Sequence, residues 1–104
     1  MKVGYVRVST VEQNLARQLE LMKTLGVEKI YCDKMSGKNT ERTEFKEMME
    51  FLREGDTLYV ESFSRLSRST LDFLNTVSRL QAKSVNLVSD KEKMDMSTPQ
   101  GKFM

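Results

Sequence analysis

The chain has 104 residues, of which 38% are hydrophobic and 31% are charged, and its formal net charge is +2. This length suits one small domain with a single core. The near balance of charges argues against a polybasic coat for nucleic acid, but it allows basic residues to cluster locally. One cysteine, Cys32, and no histidine exclude an intrachain disulfide, a zinc site with about four nitrogen or sulfur ligands, and a Ser-His or Cys-His catalytic pair.

The first predicted elements are a strand and a helix. Residues 2–8 read as a buried strand, in which Val6 and Val8 share one face while Tyr5, Arg7 and Ser9 share the other. The helical pattern begins two residues after Ser9 and ends before Gly26, which stands where a glycine commonly closes a helix. The residues predicted to face inward from this helix recur at steps of three and four: Leu15, Leu19, Met22 and Leu25.

Strand and helix then alternate along the chain. Further strands are predicted at 27–33, 57–63 and 84–89, and further helices from about Thr40 to Gly55 and from Ser69 to Lys83. The residues predicted to face inward are Phe45, Met48, Met49 and Leu52 in the first of these helices, and Phe73, Leu74, Val77 and Leu80 in the second. Residues 34–40 read as a polar loop, as does the segment after residue 89, and a helix start is expected at Pro99. This order predicts an α/β fold: a three-layer domain with a mainly parallel sheet of four or five strands and helices on both faces.

Ser9 allows two interpretations. It begins the sequence S-T-V-E, with Glu12 three residues later, and such a capping box is typical of a helix start that has no further function. Ser9 also ends the first strand, and the ligands of open α/β sheets bind beyond the carboxyl ends of the strands. The free N–H groups of the following helix attract phosphate there. Ser9 is therefore either a helix cap or a nucleophile beside a phosphoryl group.

Four arginines are predicted to meet at the same edge of the sheet. Arg7 projects from the first strand on the side of the serine, and Arg42, Arg65 and Arg68 follow the ends of the second and third strands. Arginine is a preferred partner of phosphate because its fork donates two parallel hydrogen bonds. Exposed arginines are also common without any function. An arginine in an inner strand, however, needs a buried partner, and Asp33 is the candidate partner of Arg7.

Together these motifs resemble the catalytic domain of the serine recombinases, the resolvase/invertase family of site-specific DNA recombinases. The matching stretches are YVRVST followed by a glutamine, DKMSG at 33–37, Arg42, SRLSRS at 64–69, and GKFM, which resembles the start of the family's long helix. The resemblance implies that Ser9 attacks a DNA phosphodiester and becomes a phosphoserine, without a metal or any other cofactor. It also implies that Arg7, Arg42, Arg65 and Arg68 bind the scissile phosphate and stabilise the transition state, with support from Gln13, Gln18, Asp33 and Ser36.

The resemblance also sets expectations for the whole protein. Family members join two DNA sites in a tetramer, and they continue into a long dimerisation helix and a separate DNA-binding domain. We therefore expect residues 1–104 to be a catalytic domain that lacks both parts, binds DNA weakly and is inactive by itself. The full-length protein is expected to form a homodimer or a tetramer. No apolar stretch approaches the ~20 residues of a membrane span, and the amino terminus does not look like a signal peptide, so we expect a cytoplasmic protein without a membrane partner.

The sequence leaves two alternatives to a catalytic domain open. A recombinase remnant can instead act as a non-catalytic interaction or regulatory module. An unrelated phosphate-binding or receiver-like domain is less favoured, because receiver domains carry clustered acids where this chain has Arg7 and Ser9.

Ser64 stands where many family members carry an aspartate, which removes one candidate proton donor. The proton of Ser9 leaves either to Asp33 or because a neighbouring arginine makes the hydroxyl more acidic.

Overall fold

The computed structural model describes residues 1–9, 15–35, 42–66, 69–91 and 94–95, with the side chains of Ser9, Met35, Arg65, Met94 and Asp95 excepted. The strands within these residues are β1 (Lys2–Ser9), β2 (Lys29–Met35), β3 (Thr57–Val60), β4 (Asn86–Ser89) and β5 (Met94–Asp95). The helices are α1 (Leu15–Thr24), α2 (Thr43–Phe51), α3 (Phe63–Leu66) and α4 (Thr70–Ala82). The predicted alternation of strand and helix is confirmed.

The strands form one sheet in the order β2-β1-β3-β4-β5. Neighbouring strands from β2 to β4 run parallel, and β5 pairs antiparallel with β4. The register places Arg7 opposite Asp33 and Ser9 opposite Met35. The carboxyl ends of four parallel strands therefore meet at one edge of the sheet, and the predicted α/β fold with a mainly parallel sheet is confirmed.

The larger core lies on the face of the sheet that α2 and α4 cover. Val3 and Tyr5 of β1 are fully buried there, together with Phe45 and Met48 of α2 and Leu80 of α4. These helical residues recur at the spacing of one face, as the apolar pattern predicted. Each large apolar side chain buried in this way contributes about 1.5–3 kcal/mol to folding.

A smaller cluster lies on the opposite face, which α1 covers. Val6, Val8 and Met22 form this cluster. Gly4 lets α1 come close to β1, because a Cβ at this position would lie 2.8 Å from the Met22 Sδ atom. The alternation along β1 thus sends Val6 and Val8 to one layer and Val3 and Tyr5 to the other, and helices lie on both faces of the sheet as predicted.

Two of the predicted helix ends are confirmed. Gly26 closes α1 in the left-handed conformation, with φ at +79°. Ser69 caps α4, because its hydroxyl accepts a hydrogen bond from the Asp72 N–H at 3.1 Å. The cap predicted at Thr40 and the helix start predicted at Pro99 lie outside the described residues.

Other element bounds differ from those predicted. β2 begins at Lys29 rather than at 27, because the Val27 N–H donates to the Met22 carbonyl and so completes the turn after α1. β3 ends at Val60 rather than at 63, because α3 begins at Phe63. Neither α3 nor β5 was predicted. A four-residue helix and a two-residue strand are too short to show a hydrophobic period.

Two leucines predicted to face inward are exposed instead. Leu74 of α4 is 52% exposed and Leu19 of α1 is 37% exposed. Thr76 is buried in α4 and Gln18 is buried in α1. Each helix therefore turns a polar residue toward the interior, and the neighbouring leucine lies beyond the buried face.

Candidate active site

Several of the residues predicted to act lie in or beside elements at the carboxyl edge of the sheet: Arg7 and Ser9 in β1, Asp33 in β2, Arg42 just before α2 and Arg65 in α3. Ser9 is the last residue of β1, and its backbone alone is described. Arg65 lies within α3 and is likewise described by its backbone. Gln13, Ser36 and Arg68 lie outside the described residues, so their roles stay predictions.

Arg7 reaches from β1 to the segment that follows β3. Its Nη2 atom donates a hydrogen bond to the Ser64 carbonyl oxygen, and its side chain is half-buried. Ser64 directly precedes Arg65, so this contact ties the strand that ends in the predicted nucleophile to a segment that carries predicted phosphate ligands. The partner described for Arg7 is thus a backbone carbonyl rather than Asp33, the partner expected from the sequence.

Arg42 lies just before α2 and is buried, with 9% of its surface exposed. Its Nε donates to the Tyr5 hydroxyl (3.4 Å), its Nη1 to the Asp72 carboxylate (3.2 Å) and its Nη2 to the Leu66 carbonyl oxygen. The guanidinium carbon also lies 3.8 Å from the centre of the Phe45 ring, within the range of a cation–π contact. Arg42 therefore connects β1, α3 and α4, and its contact with a phosphate stays a prediction.

Asp33 of β2 is 5% exposed, and both of its oxygens accept hydrogen bonds. Oδ1 accepts from the Glu44 N–H (3.0 Å), and Oδ2 accepts from the Phe45 N–H (3.0 Å) and the Tyr5 hydroxyl (2.7 Å). Asp33 therefore caps the first turn of α2 from a neighbouring element. Burial raises the pKa of the Tyr5 hydroxyl far above its usual value, against the opposing hydrogen bond from Arg42, so the hydroxyl keeps the proton that it donates to Asp33.

Gln18 of α1 is fully buried. Within the described part of the chain, neither its amide nitrogen nor its amide oxygen has a hydrogen-bond partner. A buried polar group without a partner costs about 1–3 kcal/mol. Stability therefore does not explain a glutamine at this position.

The family model described as "Resolvase, N terminal domain" matches residues 2–104. The chain belongs to this family. A DNA-invertase of Enterobacteria phage P7 is 44% identical over 103 residues, which are 99% of this chain and 55% of the invertase. A resolvase of Clostridium perfringens is 44% identical over 94 residues, covering 88% of this chain and 50% of that protein. The chain thus spans about half the length of these curated relatives.

Solved structures related to the resolvase family share the fold. A resolvase family site-specific recombinase from Streptococcus pneumoniae has a TM-score of 0.78 and 28% identity, covering 96% of this chain and 78% of that chain. The N-terminal catalytic domain of TP901-1 integrase has a TM-score of 0.75 and 27% identity, covering 97% of this chain and 85% of that chain. These matches confirm both the family and the fold class that the sequence predicted.

Two residues that structure this edge of the resolvase-family domain were not among the predicted site residues, namely Tyr5 and Asp72. A tyrosine on a buried face needs a partner for its hydroxyl, which is a signal that the sequence carries. Asp72 stands in the first turn of α4, where an acid is favoured by the helix dipole alone. Its partner Arg42 lies 30 positions away along the chain, and no local pattern joins the two.

A cavity of about 410 Å³ opens beside Ser64. Its wall carries the ion pair between Arg17 and Glu61, whose nearest charged atoms are 2.5 Å apart. Asp90 and Lys91 also line it. Because charges of both signs are present, this cavity has no evident preference for an anion such as phosphate.

Two further features of the described residues concern membranes and metals. No helix among them is long and apolar enough to cross a membrane. Among the same residues, no three side chains of His, Cys, Asp or Glu lie together as metal ligands.

Proposed function

We propose that the protein that contains this chain is a site-specific DNA recombinase, with residues 1–104 as its catalytic domain and Ser9 as its nucleophile. The Ser9 oxygen attacks the phosphorus of a DNA phosphodiester, and its own proton leaves. One P–O bond forms while the bond to a deoxyribose oxygen breaks, and that oxygen takes up a proton. The phosphoserine link keeps the energy of the broken bond, so the reverse step rejoins DNA without a nucleotide cofactor.

This proposal rests on the hydrogen bond from Arg7 to the carbonyl oxygen of Ser64, the residue before Arg65. It joins the strand that ends at Ser9 to the segment that holds Arg65 and leads to Arg68. The chain has no histidine, so fixed cations must meet the charge that develops on the phosphoryl group. In the proposed mechanism Arg7, Arg65 and Arg68 face the scissile phosphate. Arg42 supports them through its hydrogen bond to the Leu66 carbonyl oxygen.

Asp33 fits the role of an orienting group better than that of a general base. Its oxygens already accept three hydrogen bonds, from the Tyr5 hydroxyl and from the Glu44 and Phe45 N–H groups, so both oxygens are occupied by structural partners. In the proposed mechanism Asp33 holds the Tyr5 hydroxyl and the start of α2. Supporting roles at the same edge are assigned to Gln13, Gln18 and Ser36.

The proposed partners are DNA and further copies of the protein. The proposed active assembly is a homodimer or a tetramer, and its proposed location is the cytoplasm. The names of the relatives, DNA-invertase and resolvase, support DNA as a partner. The net charge of +2 is small for a DNA-binding protein. The 104-residue chain by itself is therefore expected to bind DNA weakly and through phosphate contacts that salt suppresses.

The test joins residues 1–104 to the remaining carboxyl-terminal part of the P7 DNA-invertase, and we call the product the extended protein. The extended protein is mixed with DNA that carries the invertase's site, under conditions that trap intermediates. We expect a covalent protein–DNA adduct on a denaturing gel. Ser9→Ala should abolish the adduct without changing the thermal midpoint, whereas Ser78→Ala, at an exposed position of α4, should leave the adduct unchanged.

Two outcomes contradict the proposal. An adduct that survives Ser9→Ala shows that another residue is the nucleophile. No adduct with the unsubstituted extended protein favours the alternative, a non-catalytic recombinase remnant that acts as an interaction or regulatory module.

A further inference from the structure

One buried side chain holds the segment 64–72, which carries two of the predicted phosphate ligands. Arg42 donates from Nη2 to the Leu66 carbonyl oxygen, in the middle of the segment, and from Nη1 to the Asp72 carboxylate at its end, at 3.2 Å. A guanidinium is planar, and its N–H groups point in fixed directions. The bond to Asp72 therefore determines where the same guanidinium can meet the Leu66 carbonyl.

The charge of Asp72 is what suits it to this task. The side chain of Arg42 is only 10% exposed, and a buried guanidinium needs an anionic partner. Among the described residues, Asp72 is the carboxylate in direct contact with Arg42. The hydroxyl of Tyr5 is neutral, and Asp33 reaches Arg42 only through that hydroxyl.

Asp72 is itself held in place. It lies in the first turn of α4, and its N–H donates to the Ser69 hydroxyl at 3.1 Å. Ser69 is the cap of α4, so the backbone of Asp72 is fixed to the start of the helix. Asp72 thus connects, through Arg42, the start of α4 to α3, the four-residue helix that contains Arg65.

We propose that Asp72 is a positioning residue of the active site. By binding Arg42 it keeps the guanidinium on the Leu66 carbonyl, and it thereby sets the place of the Arg65 backbone relative to the end of β1. Asp72 is not proposed to touch the DNA. The inference rests on the proposed function, because that function assigns the two arginines of the segment to the phosphate.

The first experiment measures the rate of adduct formation by the extended protein at saturating DNA. Asp72→Asn keeps the size of the side chain and removes its charge. The rate should fall by about 10- to 100-fold, the size expected for a catalytic group displaced by roughly 1 Å. DNA affinity and its salt dependence should stay the same, because Asp72 contacts no phosphate. Asp72→Glu, which restores the charge, should recover most of the rate.

Asp56→Asn is the matched control for this experiment. Asp56 also forms an ion pair, with the amino-terminal nitrogen at 3.1 Å, and also accepts a backbone hydrogen bond, from the Arg53 N–H at 3.0 Å. It lies beside the amino-terminal end of β3, so its replacement should leave the rate unchanged. An unchanged rate in Asp72→Asn, or an equal loss in both variants, overturns the proposal.

The second experiment measures amide hydrogen exchange in the 104-residue chain and does not depend on activity. Asp72→Asn should raise exchange at residues 64–69 by about 10-fold or more and leave β1 unchanged, whereas Asp56→Asn should leave both regions unchanged. Unchanged exchange at 64–69 overturns the proposal. If the unsubstituted extended protein forms no adduct, the proposed function fails, and this measurement alone then decides whether Asp72 positions the segment.

Discussion

Charged groups have different surroundings and partners at the two edges of the sheet. At the carboxyl edge, Arg42 is buried and binds partners 24 to 37 positions away along the chain. At the amino edge, Asp56 accepts a hydrogen bond from the Arg53 N–H, three positions away, and pairs with the amino-terminal nitrogen of Met1, 55 positions away, whose side chain is 45% exposed. One edge thus has a buried cation with three hydrogen-bond partners, and the other has a local turn and a single ion pair whose cation is exposed.

This difference shows where the domain gives up stability for geometry. Desolvating a charged pair can cost as much as the pair returns, so a buried ion pair is weak evidence for stability. A planar guanidinium with a partner on each nitrogen nevertheless holds those partners in one arrangement. The carboxyl edge gains fixed geometry in this way, which is what a phosphoryl-transfer site requires.

Removing Arg42 should have the largest effect. Arg42→Ala leaves Asp72 without its cation and removes the hydrogen bonds to Tyr5 and Leu66, so we expect the free energy of unfolding to fall by about 3 kcal/mol. Urea titration of the 104-residue chain measures this value. Arg53→Ala, at an exposed position, should change it by less than ~0.5 kcal/mol. Equal small losses in the two variants would show that the edges do not differ.

Removing the charge of Asp33 should have the next largest effect. Asp33→Asn replaces an acceptor of three hydrogen bonds with a group that must aim an NH₂ at some of the same donors. We expect a loss of about 2 kcal/mol in the free energy of unfolding. Asp56→Asn at the amino edge should cost less than about 1 kcal/mol, because its partners are local or exposed. A larger loss in Asp56→Asn than in Asp33→Asn contradicts the comparison.

Replacing Gln18 should raise stability rather than lower it. Gln18→Met keeps nearly the same volume and removes a buried amide that has no described partner, so the free energy of unfolding should rise by about 1 kcal/mol. Thermal unfolding shows this as a higher midpoint. The extended protein with the same change should form its adduct more slowly if the amide serves the site. A lower midpoint would mean that the amide has a partner in solution, such as a bound water.

Ser84 at the amino edge should give the smallest effect. It adopts φ +59°, a left-handed conformation that costs a serine about 1 kcal/mol more than a glycine. Ser84→Gly should therefore raise the free energy of unfolding by about 0.5 kcal/mol, after the greater flexibility of glycine in the unfolded chain is subtracted. Ser84→Ala is the control and should give no gain. Adduct formation by the extended protein should not change in either variant.

The success of sequence-based prediction varied with the distance between the residues involved. The two faces of β1 followed from the alternation of its side chains, and the end of α1 followed from Gly26, because both signals are local. The inward position of Leu74 was wrong, because a leucine near the edge of a helical stripe can lie on either side of the burial boundary. α3 was missed because it has only four residues.

The sequence by itself determined the family, the alternation of strands and helices, and the set of polar residues that follow strand ends. The tertiary structure alone decided that Asp33 binds Tyr5 and the start of α2, and that Arg42 binds Asp72 and the Leu66 carbonyl. The physical reason is that hydrophobic periods act over two to four residues, whereas these contacts depend on the order β2-β1-β3 of strands that are far apart in the chain. Strand order brings the segments together, and only then do charge and hydrogen-bond geometry select the partners.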